Sequence, residues 1–389
     1  MGYNQSGNTH SLMRKFLKQL LNLLKIAFAL LFIGGLSYYI LDKIQEKNNL
    51  MDIEEYSPKS TLIVKETSLK RSKYPFVDVH NHQFDMPVKN LANLVAEMDS
   101  MNMGFMINLS GFRGLYLRKS LENIRENAPN RFGLFLNIDF EAVDDVDFKE
   151  TQTALIDSAA AAGVMGLKVY KSLGLTSTDS KSNRIAINDP RLDPIWEACG
   201  NNKMPVLIHS GEPASFWEPK DKFNERWLEL RQKPRRYRDP ASNPSFEEVL
   251  AEQHDIFKKH PNTTFINAHL GWMGNDLDRL GTHLDTYPNV MTEIGAVLAE
   301  LGRQPKRARR FFIDYQDRIL FGKDSYKVSE YYTYFRVLET DDEYFDYYRK
   351  RHAHWKMYGL ALPDSILQKL YYKNALDLFP AIDHSLFKN

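Results

Sequence analysis

Five short apolar segments, each carrying a histidine, lysine or aspartate at or near its C-terminal end, constrain this chain more than any other feature. They are Val77-Asp78-Val79-His80-Asn81-His82, Gly166-Leu167-Lys168-Val169-Tyr170, Pro205-Val206-Leu207-Ile208-His209, Thr264-Phe265-Ile266-Asn267-Ala268-His269 and Ile319-Leu320-Phe321-Gly322-Lys323-Asp324. Each reads as a buried strand that turns polar only where it ends. In a closed barrel of parallel strands those ends converge on one mouth, and polar groups there read as catalytic. Side chains as distant in sequence as His80 and Asp324 can then surround a single metal ion.

The pattern between these segments supports that arrangement. Strands are expected at about 76–80, 104–109, 132–138, 164–170, 205–209, 263–268, 289–294 and 318–323. Helical patterns alternate with them, which is the mark of βαβ units. Leu91, Leu94, Val95 and Met98 recur at helical spacing. Residues 151–162 are alanine-rich, and Ser245-Phe246-Glu247-Glu248 opens a third helix with a capping box. The expected fold is α/β, a (β/α)8 or TIM barrel. A short extra strand is also expected at Thr61-Leu62-Ile63-Val64-Lys65. Residues 211–243 and 325–362 are long insertions after the fifth and eighth strands, placed to wall the mouth.

The N-terminus differs from the rest. Residues 26–41 contain no charge, and the apolar stretch reaches back to Leu20 interrupted only by Asn22 and Lys25. That length approaches the ~20 residues needed to cross a bilayer. Arg14, Lys15, Lys18 and Lys25 lie on its N-terminal side, so the positive-inside rule puts the start of the chain in the cytoplasm. The expected organisation is a cytoplasmic segment 1–19, a signal-anchor transmembrane helix 20–41, a linker 42–73 and a barrel 74–389 outside the membrane, periplasmic or extracellular. A cleaved signal peptide, giving a secreted barrel, and a buried amphipathic helix are the competing readings. Met1-Gly2 with Ser6 fits the myristoylation pattern only as a short match.

Composition excludes some classes. The net charge of +1 argues against a nucleic-acid binder, which would carry a clear basic excess. Cys199 is the only cysteine, so no internal disulfide and no cysteine-rich zinc site can form. Its setting predicts a packed helix position. Homo-oligomerisation is left open.

His80 and His82 are two apart on a strand and share a face. Neutral imidazoles suit zinc and similar metals. A lone His-x-His says little, since His352-x-His354 also occurs and reads as surface. A single histidine closing an apolar run is more often structural than a ligand. Four on one barrel face reverse that. Asp324, acceptor-only when ionised, suits metal ligation or proton acceptance. Glu212 and Trp217 follow His209 closely, and Glu293 sits on the seventh strand, so these three are candidate substrate contacts. Arg231, Lys233, Arg235, Arg236 and Arg238 form a basic run that is either a solvated face or an anion reader. Lys306, Arg307, Arg309 and Arg310 lie on an outer helix with no assigned function.

The set and its order resemble the amidohydrolase superfamily, and within it the amidohydrolase 2 branch, which also holds decarboxylases. The resemblance spans residues 76–380 and includes Lys369-Leu370-Tyr371-Tyr372-Lys373-Asn374-Ala375, similar to the branch's C-terminal helix. It implies that His80, His82 and Asp324 hold one metal and that His209 is the next ligand. His269 would bind a second metal or polarise the substrate carbonyl. Lys168 stands where some relatives carry a carboxylated lysine bridging two metals; unmodified, it would be a cation facing substrate. The implied cofactor is one or two divalent ions, zinc first and manganese as the alternative. The implied activity is hydrolysis of an amide, lactone or ester bond of a small, in one version anionic, substrate. Asp324, His269 and Lys168 would be the catalytic residues. A metal-dependent decarboxylase and a catalytically silent binding barrel are the alternatives. Two departures stand out. Lys323 replaces a small residue before Asp324, and His-x-His replaces the Glu-x-His of many decarboxylases in the branch, which favours hydrolysis.

Overall fold

Runs of β-branched and aromatic residues bounded by Gly, Asn and Pro become strands in the computed structural model, which describes residues 6–48, 50–349 and 355–388. They are β1 (Phe76–Asn81), β2 (Met103–Asn108), β3 (Phe132–Leu136), β4 (Gly166–Val169), β5 (Val206–Ile208), β6 (Phe265–Asn267), β7 (Val290–Glu293) and β8 (Ile319–Leu320). All eight are parallel and lie in chain order in one sheet. Backbone bonds from Val79 N to Phe321 O (3.0 Å) and from Asp324 N to His80 O (2.6 Å) join the last strand to the first. The expected (β/α)8 barrel is therefore present. β8 is shorter than the sequence suggests, and the chain beyond it still bonds to β1 before turning away at Asp324, φ 77°.

Before the barrel lies a unit of its own, residues 1–61, dominated by α1 (Ser6–Asn48). At ~1.5 Å per residue a helix of 43 residues is roughly 65 Å long. His10–Lys47 is long and apolar enough to cross a bilayer, and its Phe28, Leu31 and Phe32 are exposed. The helix includes Asp42 to Lys47, aided by the Lys43–Glu46 pair one turn apart.

The second unit starts at Leu62. Residues 61–65 form no strand, contrary to the sequence expectation. The physical reason is that the closed barrel leaves no free edge to pair with. Lys65 and Thr67 are instead held by Asp341 (2.8 Å) and Asp342 (2.7 Å). Around the barrel run α2 (Leu91–Met101), α3 (Gly114–Asn127), α4 (Phe148–Ala161), α5 (Asp193–Asn201), α6 (Trp227–Gln232), α7 (Phe246–Lys259), α8 (Leu277–Thr286), α9 (Leu298–Arg303), α10 (Pro305–Asp314), α11 (Val328–Glu339), α12 (Asp364–Gln368) and α13 (Asn374–Leu378). α2 buries the expected Leu91, Leu94 and Met98 and is capped by the Asn90 side chain. Ser245 caps α7 through Glu248 N (3.1 Å), so the capping box forms at least its first half. Cys199 is fully buried in α5, and burial pushes its thiol up, as expected of a packing residue.

The floor beneath the mouth is aromatic. Phe76, Phe321, Phe335 and Tyr371 pack edge to face or tilted, with Phe76 and Phe321 centroids 4.9 Å apart. Such pairs add about 0.5–1.5 kcal/mol each beyond their burial. A π-helical turn, Lys369–Lys373, leads into α13, where the Asn374 amide reaches Gln316 O and Ile319 O at 2.8 Å. That contact fixes the start of β8 and gives the Asn-Ala pair a physical role. His352 and His354 lie outside the described residues.

Candidate metal centre at the mouth of the barrel

β1 ends at the mouth with His80 and His82 pointing the same way, as period-two geometry requires. Asp324, leaving β8 in the left-handed region, brings its Oδ1 to 3.6 Å from the Nε2 of both rings. The second nitrogen of each ring is already engaged. His80 Nδ1 faces Glu293 Oε1 at 2.9 Å, so it carries the proton. His82 Nδ1 lies 2.8 Å from Ser110 Oγ, which lies 3.1 Å from Tyr170 OH; that hydroxyl donates to Leu109 O. The proton chain runs outward, so His82 Nδ1 also carries its proton. Both Nε2 atoms are thus lone pairs aimed at Asp324. The His80 Nε2 is buried and has no hydrogen-bond partner among the described residues.

Two lone pairs and a carboxylate oxygen within 4.8 Å of one another are a donor set for a cation. Zinc bonds of ~2.0–2.2 Å in tetrahedral geometry separate neighbouring ligand atoms by roughly 3.4 Å. The 3.6 Å separations fit that requirement.

Electrostatics agree with the tautomers. Burial, and then the charge of Lys168, hold His80 well below its ordinary range and bring His82 down to about 4. Burial would raise Asp324, but His80, His269, His82 and Lys168 outweigh it and keep the carboxylate ionised. Burial lowers the Lys168 ammonium to about 8. Its Nζ has no hydrogen-bond partner among the described residues and lies 5.5 Å from the Tyr170 ring centroid.

His269 arrives by a strained route. His269, Leu270, Gly271 and Trp272 all have φ between 54° and 59°, one left-handed turn directly after β6. Non-glycine residues in that region cost about 1–3 kcal/mol each, and such strain clusters at functional sites. The turn is held by His269 N donating to Glu293 Oε1 (2.7 Å). His269 Nδ1 donates to Gly295 O (2.7 Å), which leaves Nε2 facing His209 Nδ1 at 3.2 Å. Two ring nitrogens at that distance need a proton or a cation between them. His209 is held low by burial first and by His269 second.

The structure therefore brings His80, His82, His209, His269, Lys168 and Asp324 to one mouth. Two other expectations change. Glu293, expected to face substrate, is 0 % exposed and lies behind the rings, receiving His80, His269 N and Gly295 N. Trp217 does not line a described cavity: its indole donates to Pro244 O (2.7 Å) and its ring packs on Phe246. Glu212 does line the cavity beside His209 and His269, but its carboxylate is bound by Lys171 (2.6 Å) and Arg238 (3.1 Å). Sequence reasoning missed Ser110 and the orienting role of Glu293. Both sit where a buried strand turns polar, the same signal that singled out the histidines. Asp78 was also unassigned; it takes Tyr331 OH (2.6 Å) and the amides of His80 and Lys323, tying β1 to the exit from β8.

This is a (β/α)8 barrel with a histidine and carboxylate constellation at its C-terminal mouth. A family model, amidohydrolase 2, described as Amidohydrolase, matches residues 122–381, and the chain belongs to that family. Among solved structures it is similar to a dihydroxybenzoic acid decarboxylase from Polaromonas sp. JS666 with bound manganese and the inhibitor 2-nitroresorcinol. That match has 13% identity, covers 81% of this chain and 100% of the other, and has a TM-score of 0.50. A 2,6-dihydroxybenzoate decarboxylase from Rhizobium matches at 14% identity, 80% and 100% coverage and TM-score 0.49. A dihydroorotase from Campylobacter jejuni matches at 12% identity, 82% and 86% coverage and TM-score 0.41. At such identities likeness speaks to the fold alone. No curated protein matches the chain.

Proposed function

We propose that this protein is a metal-dependent hydrolase cleaving an amide, lactone or ester bond of a small substrate. One observation carries the reading: His80 Nε2 and His82 Nε2 converge on Asp324 Oδ1 with their other nitrogens already committed. His80, His82 and Asp324 would hold a divalent ion, zinc first and manganese second, with His209 and His269 beside it. When bound, such an ion lowers the pKa of water toward ~7 and polarises a carbonyl. The chain's own groups do the rest. Asp324, ionised throughout the neutral range, accepts the proton of the attacking water and returns it to the leaving nitrogen or oxygen. His269, with Nδ1 fixed on Gly295 O, presents only Nε2 to the cavity. It therefore acts there as a lone pair, or as a donor when protonated. Lys168, buried and without a hydrogen-bond partner among the described residues, is the residue that would take up carbon dioxide as a carbamate if two ions bind; only the neutral amine reacts, and its lowered pKa of about 8 favours that form.

A metal-dependent decarboxylase is the second reading, favoured by that same Lys168 amine if it stays unmodified as a cation for a substrate carboxylate. The test is a turnover screen of the full chain loaded with zinc or manganese, following both amide, lactone and ester hydrolysis and carbon dioxide release. Hydrolysis that Asp324→Asn lowers by about 10²-fold or more supports the proposal. Carbon dioxide release without hydrolysis replaces it with the lyase. Ligand binding without turnover, unchanged in Asp324→Asn, points to a silent binding barrel.

We also propose that residues 20–41 of α1 are a signal anchor, with 1–19 cytoplasmic, 42–73 a linker and 74–389 a barrel outside the membrane. Its length, apolarity and flanking cations support this.

A further inference from the structure

Two members of the basic run in the first insertion, Arg236 and Arg238, are already paired beside the mouth, as is the neighbouring Arg226. Arg236 and Arg226 are bound to Glu229, and Arg238 to Glu212. Lys323, the departure before Asp324, also turns away from the histidines. Its fully buried ammonium donates to Glu330 Oε2 (2.6 Å) and Ser325 O (2.7 Å). Drawn to Lys323, Glu330 keeps only a 3.8 Å contact with the Arg349 guanidinium. Lys327 reaches the other oxygen at 3.8 Å but is 66% exposed, so solvent screens it. One carboxylate thus serves two enclosed cations, and among the described residues Arg349 has no closer carboxylate than Glu330; the Tyr348 ring lies 5.5 Å from it.

That guanidinium faces the cavity. Arg349, 17% exposed, lines it together with His209, His269 and Asp324. Of its five N–H groups, one is used in a hydrogen bond among the described residues, to Ser325 Oγ at 2.9 Å. Ser325 directly follows Asp324, so this bond tethers the guanidinium next to the proposed proton acceptor. An enclosed charge without a full partner is costly, and a planar guanidinium pairs best with a carboxylate in bidentate fashion.

We infer that Arg349 is the carboxylate anchor of this mouth, so the substrate is a small carboxylic acid whose scissile bond is presented to Asp324. The scissile-bond part rests on the proposed hydrolase; the anchoring part does not. The test is calorimetric titration of the zinc-loaded full chain in detergent with acetate and benzoate, and with the neutral acetamide and benzamide. It compares wild type, Arg349→Gln, Arg349→Lys and Asp324→Asn, with metal content and melting temperature recorded for each. The expected result is at least about tenfold tighter binding of the acids than of the amides in wild type. Arg349→Gln loses that preference with metal content unchanged, and Arg349→Lys keeps part of it. The same preference in Arg349→Gln as in wild type, or no preference in wild type, overturns the inference. A preference lost in Asp324→Asn but kept in Arg349→Gln also overturns it while leaving the metal site intact. A protein that binds no metal yet shows the Arg349-dependent preference sinks the proposed hydrolase and keeps the anchor.

Discussion

Glu293→Gln is the sharpest perturbation of the site, because it changes one atom of a group that touches no solvent. The carboxylate accepts three bonds: His80 Nδ1 at 2.9 Å, His269 N at 2.7 Å and Gly295 N at 2.5 Å. Hydrogen bonds to a charged group are worth roughly 1.5–3 kcal/mol each. Glutamine keeps one carbonyl oxygen. Placed toward His80 and His269 it still accepts from both, but without charge, and its amide then meets the Gly295 N–H donor to donor. The cost is one bond plus the weakening of two others, about 2–4 kcal/mol. The weaker, uncharged acceptor also holds His80 less firmly in the tautomer that leaves Nε2 free for the metal. Loss of such an orienting partner typically lowers metal affinity about 10–100-fold. The assay is zinc affinity by chelator competition, with a melting curve of the metal-free protein beside it. Zinc affinity within twofold of wild type would refute the claim that Glu293 fixes the His80 tautomer.

Three further outcomes are expected. Gly322→Ala places a methyl group against Glu293 Oε2 and His80 Cβ, both in the packed mouth, so melting temperature and zinc affinity should fall together; an unchanged pair of values contradicts the packing. The tilted His254 and His283 rings, centroids 4.4 Å apart between α7 and α8, are lowered to about 4 and about 3, burial first, then Arg279 for His254 and His254 itself for His283, with Arg318 and Arg279 adding. Since the unfolded chain binds more protons below its ordinary 6.5, stability is lost as pH falls from there toward 4, by up to about 2 kcal/mol at pH 5 for His283 and less for the more exposed His254; His283→Phe should flatten that slope in urea melts, and an unaltered slope argues against it. If α1 is an anchor with its start in the cytoplasm, protease added to intact spheroplasts should release the barrel, whereas full protection reverses the proposed orientation.

The strands and their polar ends were legible because both rest on local pattern. A buried parallel strand is apolar throughout, so a histidine or aspartate at its end is conspicuous. The same logic, applied to Val290-Met291-Thr292-Glu293, reaches Glu293 but not its direction, which depends on the His269 turn. That turn carries only Gly271 as a sequence marker, while Leu270 and Trp272 enter the left-handed region under tertiary constraint. Residues 61–65 look like a strand by β-propensity, yet propensity cannot show that every barrel edge is already paired. Arg349 lies in an insertion without periodic pattern, 24 residues from the Ser325 it contacts. Only the folded chain brings it to the cavity.

The most direct test of the metal centre is metal content per chain, measured by mass spectrometry on protein purified without chelators. Wild type is compared with His80→Ala, Asp324→Ala and Lys168→Ala. The account predicts at least one divalent ion per chain in wild type and its loss in the His80 and Asp324 variants. A second ion that disappears in Lys168→Ala marks the bridged form. A wild-type protein that holds no metal, and takes up none when zinc or manganese is added, contradicts the account at its centre.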